Sequence, residues 1–258
     1  MQILAYVLIL MTGVSFGLIG AGGAIIIVPI LVYMLGQSFE KATGYALPVS
    51  MLVSSVGAVI AAKQKVVDFK RAFEFGIPTA CISFATRKLI VPLLPEVIFG
   101  LPRKSVMMLA FALILVGAGI TMIKSKKFVP PEHPHPFAGL GFGVIVGLFS
   151  GIFGIGGGFM IVPILAIFFG LDMKFAVGTS LCSVVMITSF AFVAEFMNHP
   201  DIPWVFVAGI MAAAATGMVI GSFLRQIIDG TKLKTGFGYF VLSLALLLPV
   251  LEIIRLRG

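Results

Sequence analysis

Gly17-Leu-Ile-Gly-Ala-Gly-Gly-Ala-Ile-Ile-Ile-Val-Pro-Ile-Leu31 returns later in the chain as Gly151-Ile-Phe-Gly-Ile-Gly-Gly-Gly-Phe-Met-Ile-Val-Pro-Ile-Leu165, an offset of 134 (151 − 17). Nine of the fifteen positions are identical, and the same gapless offset pairs Gly36 with Gly170, Ala42 with Ala176, Gly44 with Gly178, Leu47 with Leu181 and Ser55 with Ser189. Chance likeness between two apolar stretches does not keep glycines and a proline in register. The chain therefore reads as a duplication, with residues 1–127 as one repeat, 128–136 as a polar linker and 137–258 as the other.

The surroundings of these stretches are those of a membrane protein. The 258 residues are 60% hydrophobic and 11% charged, and the mean hydropathy is +1.17, more apolar surface than a water-soluble domain can hide. Uninterrupted apolar runs such as Ser105–Ile123 and Gly236–Ile254 are ~20 residues long, enough for a helix to cross a ~30 Å hydrocarbon core. The formal charge of +8 sits in short clusters between apolar segments, a topology signal that excludes nucleic acid as the reason for it. Cys81 and Cys182 lack metal-ligand spacing and read as small buried residues. The apolar Ile3–Met11 lacks the basic start of a signal peptide and is kept in the fold.

Each half holds a Gly-rich segment (residues 2–36 and 137–170) followed by three spans. These are Thr43–Ala62, Ala72–Leu94 and Ser105–Ile123 in the first half, and Val177–Met197, Pro203–Leu224 and Thr235–Ile254 in the second. His133 and His135 fall in the linker and read as solvated. The Gly-rich segments are too long for one span and too short for two, and their glycines predict a helix break near Gly20–Gly23 and Gly154–Gly158. If each segment crosses once, loop Lys and Arg divide nine to seven between the faces; if each enters and returns, they divide eleven to five. The positive-inside rule favours the hairpin. Placing Arg87 and Lys88 on the outer face narrows that split to eleven against seven. A hairpin gives each half an odd number of crossings and makes the repeats inverted, as in many secondary transporters. The expected fold is an all-α polytopic membrane protein of two inverted repeats, each a Gly-broken hairpin plus three transmembrane helices.

A broken helix exposes main-chain groups that lipid cannot satisfy, so it persists only where protein or a water-filled cavity surrounds it. Glycines let the main chain approach a ligand, and a helix N-terminus favours an anion. Substrate-binding candidates are therefore Gly20, Gly22 and Gly23 in one break and Gly154, Gly156, Gly157 and Gly158 in the other. The competing reading is that these glycines only let helices pack closely. The start of the next span adds Gly178, Thr179 and Ser180, matched in the first half by Thr43 and Gly44, although such hydroxyls also bond to their own helix. Ionisable groups inside spans point to function. Arg87 is a candidate for anion attraction, with snorkelling to an interface as the alternative, and Glu195, near Asn198 and His199, is a candidate for proton coupling.

At Gly154–Leu165, at Ala176-Val-Gly-Thr-Ser-Leu181 and at Val67-Asp68-Phe69 the chain resembles the TauE/SafE sulfite exporter family, and the repeat arrangement extends the resemblance over nearly its full length. The resemblance implies a multi-pass plasma-membrane permease for sulfite, sulfonates or related organic anions, driven by an ion gradient, H+ being one candidate. Ala42-Thr43-Gly44-Tyr45-Ala46-Leu47 in place of Ala176-Val177-Gly178-Thr179-Ser180-Leu181, and Arg87-Lys88 where the family has small apolar residues, depart from its pattern and make the half-sites unequal. No protease, hydrolase or metal motif is present in the sequence, so an enzyme is not expected, and neither cofactor nor metal is called for. The expected partners are a small anion and the lipid bilayer. The oligomeric state stays open, with a homodimer among the options. An anion channel and a non-transporting accessory or sensor subunit are the alternative functions.

Overall fold

The computed structural model of the protein describes residues 2–19, 24–98, 100–124, 136–225 and, of the C-terminal part, 236, 238, 239, 242, 243 and 245–250. The described residues are almost entirely helical. In order they form α1 (Gln2–Ile19), α2 (Ala24–Pro29) with a π-helical turn (Ile30–Met34), α3 (Phe39–Lys63), α4 (Phe69–Ala85) with a π-helical turn (Thr86–Ile90), and the single turn α5 (Val91–Leu93). A two-stranded antiparallel ribbon follows, β1 (Val97–Ile98) with β2 (Leu101–Pro102), then α6 (Arg103–Lys124). The second half continues with α7 (Pro136–Phe153), α8 (Gly158–Ile167), α9 (Met173–Asn198) and α10 (Trp204–Leu224). Among the described residues three helices, α3, α9 and α10, are long and apolar enough to cross a membrane. Large apolar side chains such as Ile3 and Val205 face outward while Thr43, Ser50, Thr79 and Thr188 are buried, a distribution that suits lipid rather than water.

Element boundaries repeat at the sequence offset. Adding 134 to the ends of α1, Gln2 and Ile19, gives those of α7, Pro136 and Phe153; α2 and α8 begin at Ala24 and Gly158, and α3 and α9 at Phe39 and Met173. Gly36 and Gly170, each at φ +66°, end the short limbs in the left-handed conformation, and Gln37 N–H and Leu171 N–H donate back to the carbonyls of Leu31 and Leu165.

The chain divides into two compact units. The first comprises residues 1–92 and 129–228, the second residues 93–128 and 229–258. In the second unit Arg103 N–H donates to the Glu96 carbonyl and its guanidinium to that of Leu94, tying the ribbon to the start of α6. Further along α6, Gly119 packs on Leu242 and on the carbonyl of Gly238.

In the first unit, close contacts give the helix directions. Gly13 and Gly17 of α1 lie on the main chain of Ala214 and Met218 of α10, so this pair runs parallel, and Gly217 and Gly221 return the contact on Leu10 and Val14. Gly143 meets Thr79 and Gly151 meets Thr86, so α7 runs parallel to α4. Gly44 meets Glu195 while Gly57 meets Leu181, so α3 and α9 are antiparallel. Asp68 is held by Thr179 and Arg87 by Glu195, so α4 is parallel to α9. It follows that α7 and α9 point the same way, and residues 154–172 carry the chain back to the level at which α7 began.

Candidate functional site

The turn-back begins at Gly154, whose φ of +68° is followed by +70° at Gly156 and +65° at Gly157. Three left-handed residues within four end α7 and start α8 in a new direction, and side chains rarely tolerate that conformation. Space is as tight as the dihedrals. A Cβ on Gly154 would overlap the main chain of Thr43, and one on Gly156 would press on Val184 and Thr188 of α9. Gly157 faces only the Val146 side chain, and Gly158 opens α8, buried.

Arg87 lies beside this break. The span expected over Ala72–Leu94 is not one regular helix, because α4 gives way to the π-helical turn at Thr86. A π turn re-aims the side chains it carries. Arg87 enters the protein while Leu89 and Ile90 stay exposed, and its own exposure falls to 1%. The guanidinium donates from Nε to Glu195 Oε2 at 2.6 Å, from Nη1 and Nη2 to Thr43 Oγ1 at 3.1 and 3.2 Å, and from Nη1 to the carbonyls of Gly151 and Ile152 at 3.3 and 3.4 Å. Snorkelling, the alternative considered for Arg87, is ruled out by this burial. Among large side chains this is a fully buried cation, balanced by a carboxylate that is itself only 7% exposed.

Glu195 turns one oxygen to Arg87 and the other to Gly44 and His199. Its Oε1 lies 3.4 Å from Nδ1 of His199, whose side chain is 67% exposed. A Cβ on Gly44 would come within 2.5 Å of the same oxygen, so glycine there makes room for the carboxylate. Asn198 Nδ2 donates to the Arg87 carbonyl at 3.4 Å. The buried hydroxyls of Thr86 and Ser150, neighbours in sequence of Arg87 and Gly151, have no hydrogen-bond partner among the described residues.

Of the residues singled out from sequence, the structure thus brings together Thr43, Gly44, Arg87, Gly154 and Glu195. Gly20, Gly22 and Gly23 lie outside the described residues. Gly178, Thr179 and Ser180 sit at the other end of α9, about 24 Å from Glu195 by helical rise. There Gly178 lies on the Val66 carbonyl, Thr179 Oγ1 accepts from Asp68 N–H at 2.9 Å, and Ser180 donates to Val177 O at 2.8 Å. Cys81, expected to be buried, is exposed on the apolar outer surface, and Cys182 is half-buried.

Sequence reading missed Thr86, Ser150, the carbonyls of Gly151 and Ile152, and above all the pairing of Arg87 with Glu195. The duplication hides that pair. At the offset of 134 its counterparts are Gly221 and Ala61, and the counterpart of Thr43 is Val177, so only one of the two equivalent places carries charge.

Apolar helices wrapped around one buried, hydrogen-bonded ion pair define the class, an α-helical membrane protein with a polar centre. The profile of the family described as Sulfite exporter TauE/SafE matches residues 5–248, and the chain belongs to that family. A probable membrane transporter protein of Xylella fastidiosa (strain Temecula1) is 25% identical over 92% of this chain and 90% of its own length. The probable membrane transporter protein YunE of Bacillus subtilis is 27% identical over 95% and 94%. One from Methanocaldococcus jannaschii reaches 30% identity over 60% of this chain and 57% of its own. No solved structure matches the chain.

Proposed function

We propose that this protein is a secondary transporter that moves a small sulfur-containing anion, such as sulfite or a sulfonate, outward across the plasma membrane, with an ion gradient coupled to the movement. The observation that carries the reading is Arg87. A guanidinium is a planar fork matched to oxyanions, and one buried in a membrane protein is costly unless it has work to do. It stands next to a glycine break packed against Thr43 and α9, with the buried hydroxyls of Thr86 and Ser150, which have no partner among the described residues, on the neighbouring positions. The family name supplies the sulfite assignment and the outward direction, and the relatives' names supply transport.

The inverted-repeat reading is supported by the antiparallel arrangement of α3 and α9, which begin 134 residues apart, and by the crossed pairing of α1 with α10 and α7 with α4. Two halves of opposite orientation around a central site suit alternating access. In this reading the anion sits at the Arg87 end of α9, and Gly178, Thr179 and Ser180 form the weaker half-site, where the Thr179 hydroxyl holds the loop at Asp68 and that of Ser180 bonds its own helix.

Proteoliposome flux of labelled sulfite and simple sulfonates tests the proposal. Saturable flux in the wild type that is lost in Arg87→Gln is expected. No flux with any anion would overturn transport, and unaltered flux in a folded Arg87→Gln would move the site elsewhere.

A further inference from the structure

We infer that the Glu195 carboxylate is a tethered occupant of the anion site on Arg87, so that substrate anion and proton load and leave together. The inference rests on the proposed role of Arg87 as the anion site and adds what controls its availability.

The geometry gives a substrate no free guanidinium to bind. Nε is taken by Glu195 Oε2 at 2.6 Å, and Nη1 and Nη2 are turned to Thr43 and to the carbonyls of α7. An arriving oxyanion must therefore replace an oxyanion already there. The charged and titratable groups facing Glu195 are few. Arg87 comes from the π turn, His199 from its own helix, and Tyr45 from α3, whose phenol feels the Glu195 charge. α7 presents main-chain carbonyls, and α10 presents the Phe206 ring behind Tyr45.

Charge balance then dictates the order of events. Arg87 with ionised Glu195 is neutral as a pair. Adding a monoanion alone leaves a net negative charge in a buried site, and protonating Glu195 alone leaves a net positive one; buried charges without partners are heavily penalised. Adding both restores neutrality. One proton from water forms an O–H bond on Glu195, the guanidinium keeps all its protons, and the substrate anion takes the carboxylate's place on Arg87. On release the proton returns to water and the carboxylate returns to Arg87. His199, exposed and 3.4 Å from Oε1, gives the proton a path that does not cross the anion's side of the carboxylate.

The ligand chemistry follows from the placeholder. A carboxylate-sized oxyanion head carrying one negative charge fits, as in a sulfonate, hydrogen sulfite or a small carboxylate. The cycle is symport, so transport of a monoanion is electroneutral: an acid exterior favours entry, and export proceeds when the accumulated anion outweighs the proton gradient.

Radiolabelled methanesulfonate and the full-length protein in proteoliposomes serve as the test. In the wild type, an acid-outside gradient should accelerate uptake and an imposed membrane potential should leave it unchanged. Adding methanesulfonate to the detergent-solubilised wild type should take up about one proton per bound anion, and affinity should fall about tenfold per pH unit once Glu195 is ionised. Glu195→Gln should bind methanesulfonate with no pH dependence and lose the response to the proton gradient. Flux in the wild type without proton uptake, or an intact gradient response in Glu195→Gln, would overturn the inference while leaving the transport reading in place. Absence of both binding and flux in the wild type for methanesulfonate and for sulfite would instead defeat the transport reading and the inference with it. The proton-uptake measurement needs no variant, so it decides the matter even if Glu195→Gln fails to fold.

Discussion

Arg87 at 1% exposure and Glu195 at 7% form a pair whose separate removal and joint removal have different consequences. Taking away one partner strands the other in a site that water barely reaches, at a cost of about 3–5 kcal/mol. Arg87→Gln should lower thermal stability in detergent by that order. Arg87→Gln combined with Glu195→Gln should recover most of the stability, because no charge is left unpaired, and should still bind no anion. Thermal unfolding of the two single variants and the double variant checks this; additive losses would mean that the two side chains do not act as a pair. The serial position of these residues concealed them. They lie 108 positions apart, their repeat counterparts are Gly221 and Ala61, and nothing in periodicity links them. What sequence did expose was each residue alone, an ionisable group within an apolar span.

Elements explain why the pair can exist. The π turn Thr86–Ile90 turns Arg87 inward, and the left-handed Gly154, Gly156 and Gly157 end α7 just where Gly151 and Ile152 offer their carbonyls. These glycines differ in what surrounds them, and substitution should reveal it. Gly157→Ala carries the cost of a left-handed alanine, about 1–2 kcal/mol, and presses its methyl on the buried, β-branched Val146 side chain, which must shift to admit it. Gly154→Ala carries the same backbone penalty and also drives a methyl into the main chain of Thr43, a ligand of Arg87. It should be the less stable of the two and should weaken anion affinity, measured by thermal unfolding and by binding of methanesulfonate. At the far end of α9, Thr179→Val removes the acceptor for Asp68 N–H and should cost about 1 kcal/mol with little change in affinity. A large affinity loss there would give Thr179 a direct part in binding. The break was legible because glycines clustered as densely as those of Gly154–Gly158 sustain a helix poorly, even in an apolar segment. The π turn was not, since Thr86–Ile90 carries no residue that distinguishes it from ordinary helix.

Across the first unit, the offset of 134 recurs in element boundaries, in the paired caps at Gly36 and Gly170, and in the crossed helix contacts. Because α1 is parallel to α10 and α10 to α3, by Met218 on Gly57 and Arg225 on Gln64, α1 and α3 point the same way, as α7 and α9 do. The proposed inversion makes a prediction about sides. Ser38 and Asp172, both exposed and 134 apart, should face opposite sides of the membrane. Single cysteines there, in a chain with Cys81 and Cys182 replaced, should react with an impermeant thiol reagent from opposite sides; reaction of both from one side would contradict the inverted arrangement. The duplication itself was plain in the sequence, and so was the membrane setting. The buried pair of Arg87 and Glu195 was not, since their counterparts at the offset, Gly221 and Ala61, carry no charge.

In the proposed function a small anion crosses this protein through a site built on Arg87. The measurement that tests it most directly is sulfite and methanesulfonate flux into proteoliposomes carrying the wild type, Arg87→Lys or Arg87→Gln, each verified as folded. Expected are saturable flux in the wild type, a weakened affinity in Arg87→Lys, which keeps the charge and loses the fork, and flux at the level of empty liposomes in Arg87→Gln. Equal flux in all three would contradict it.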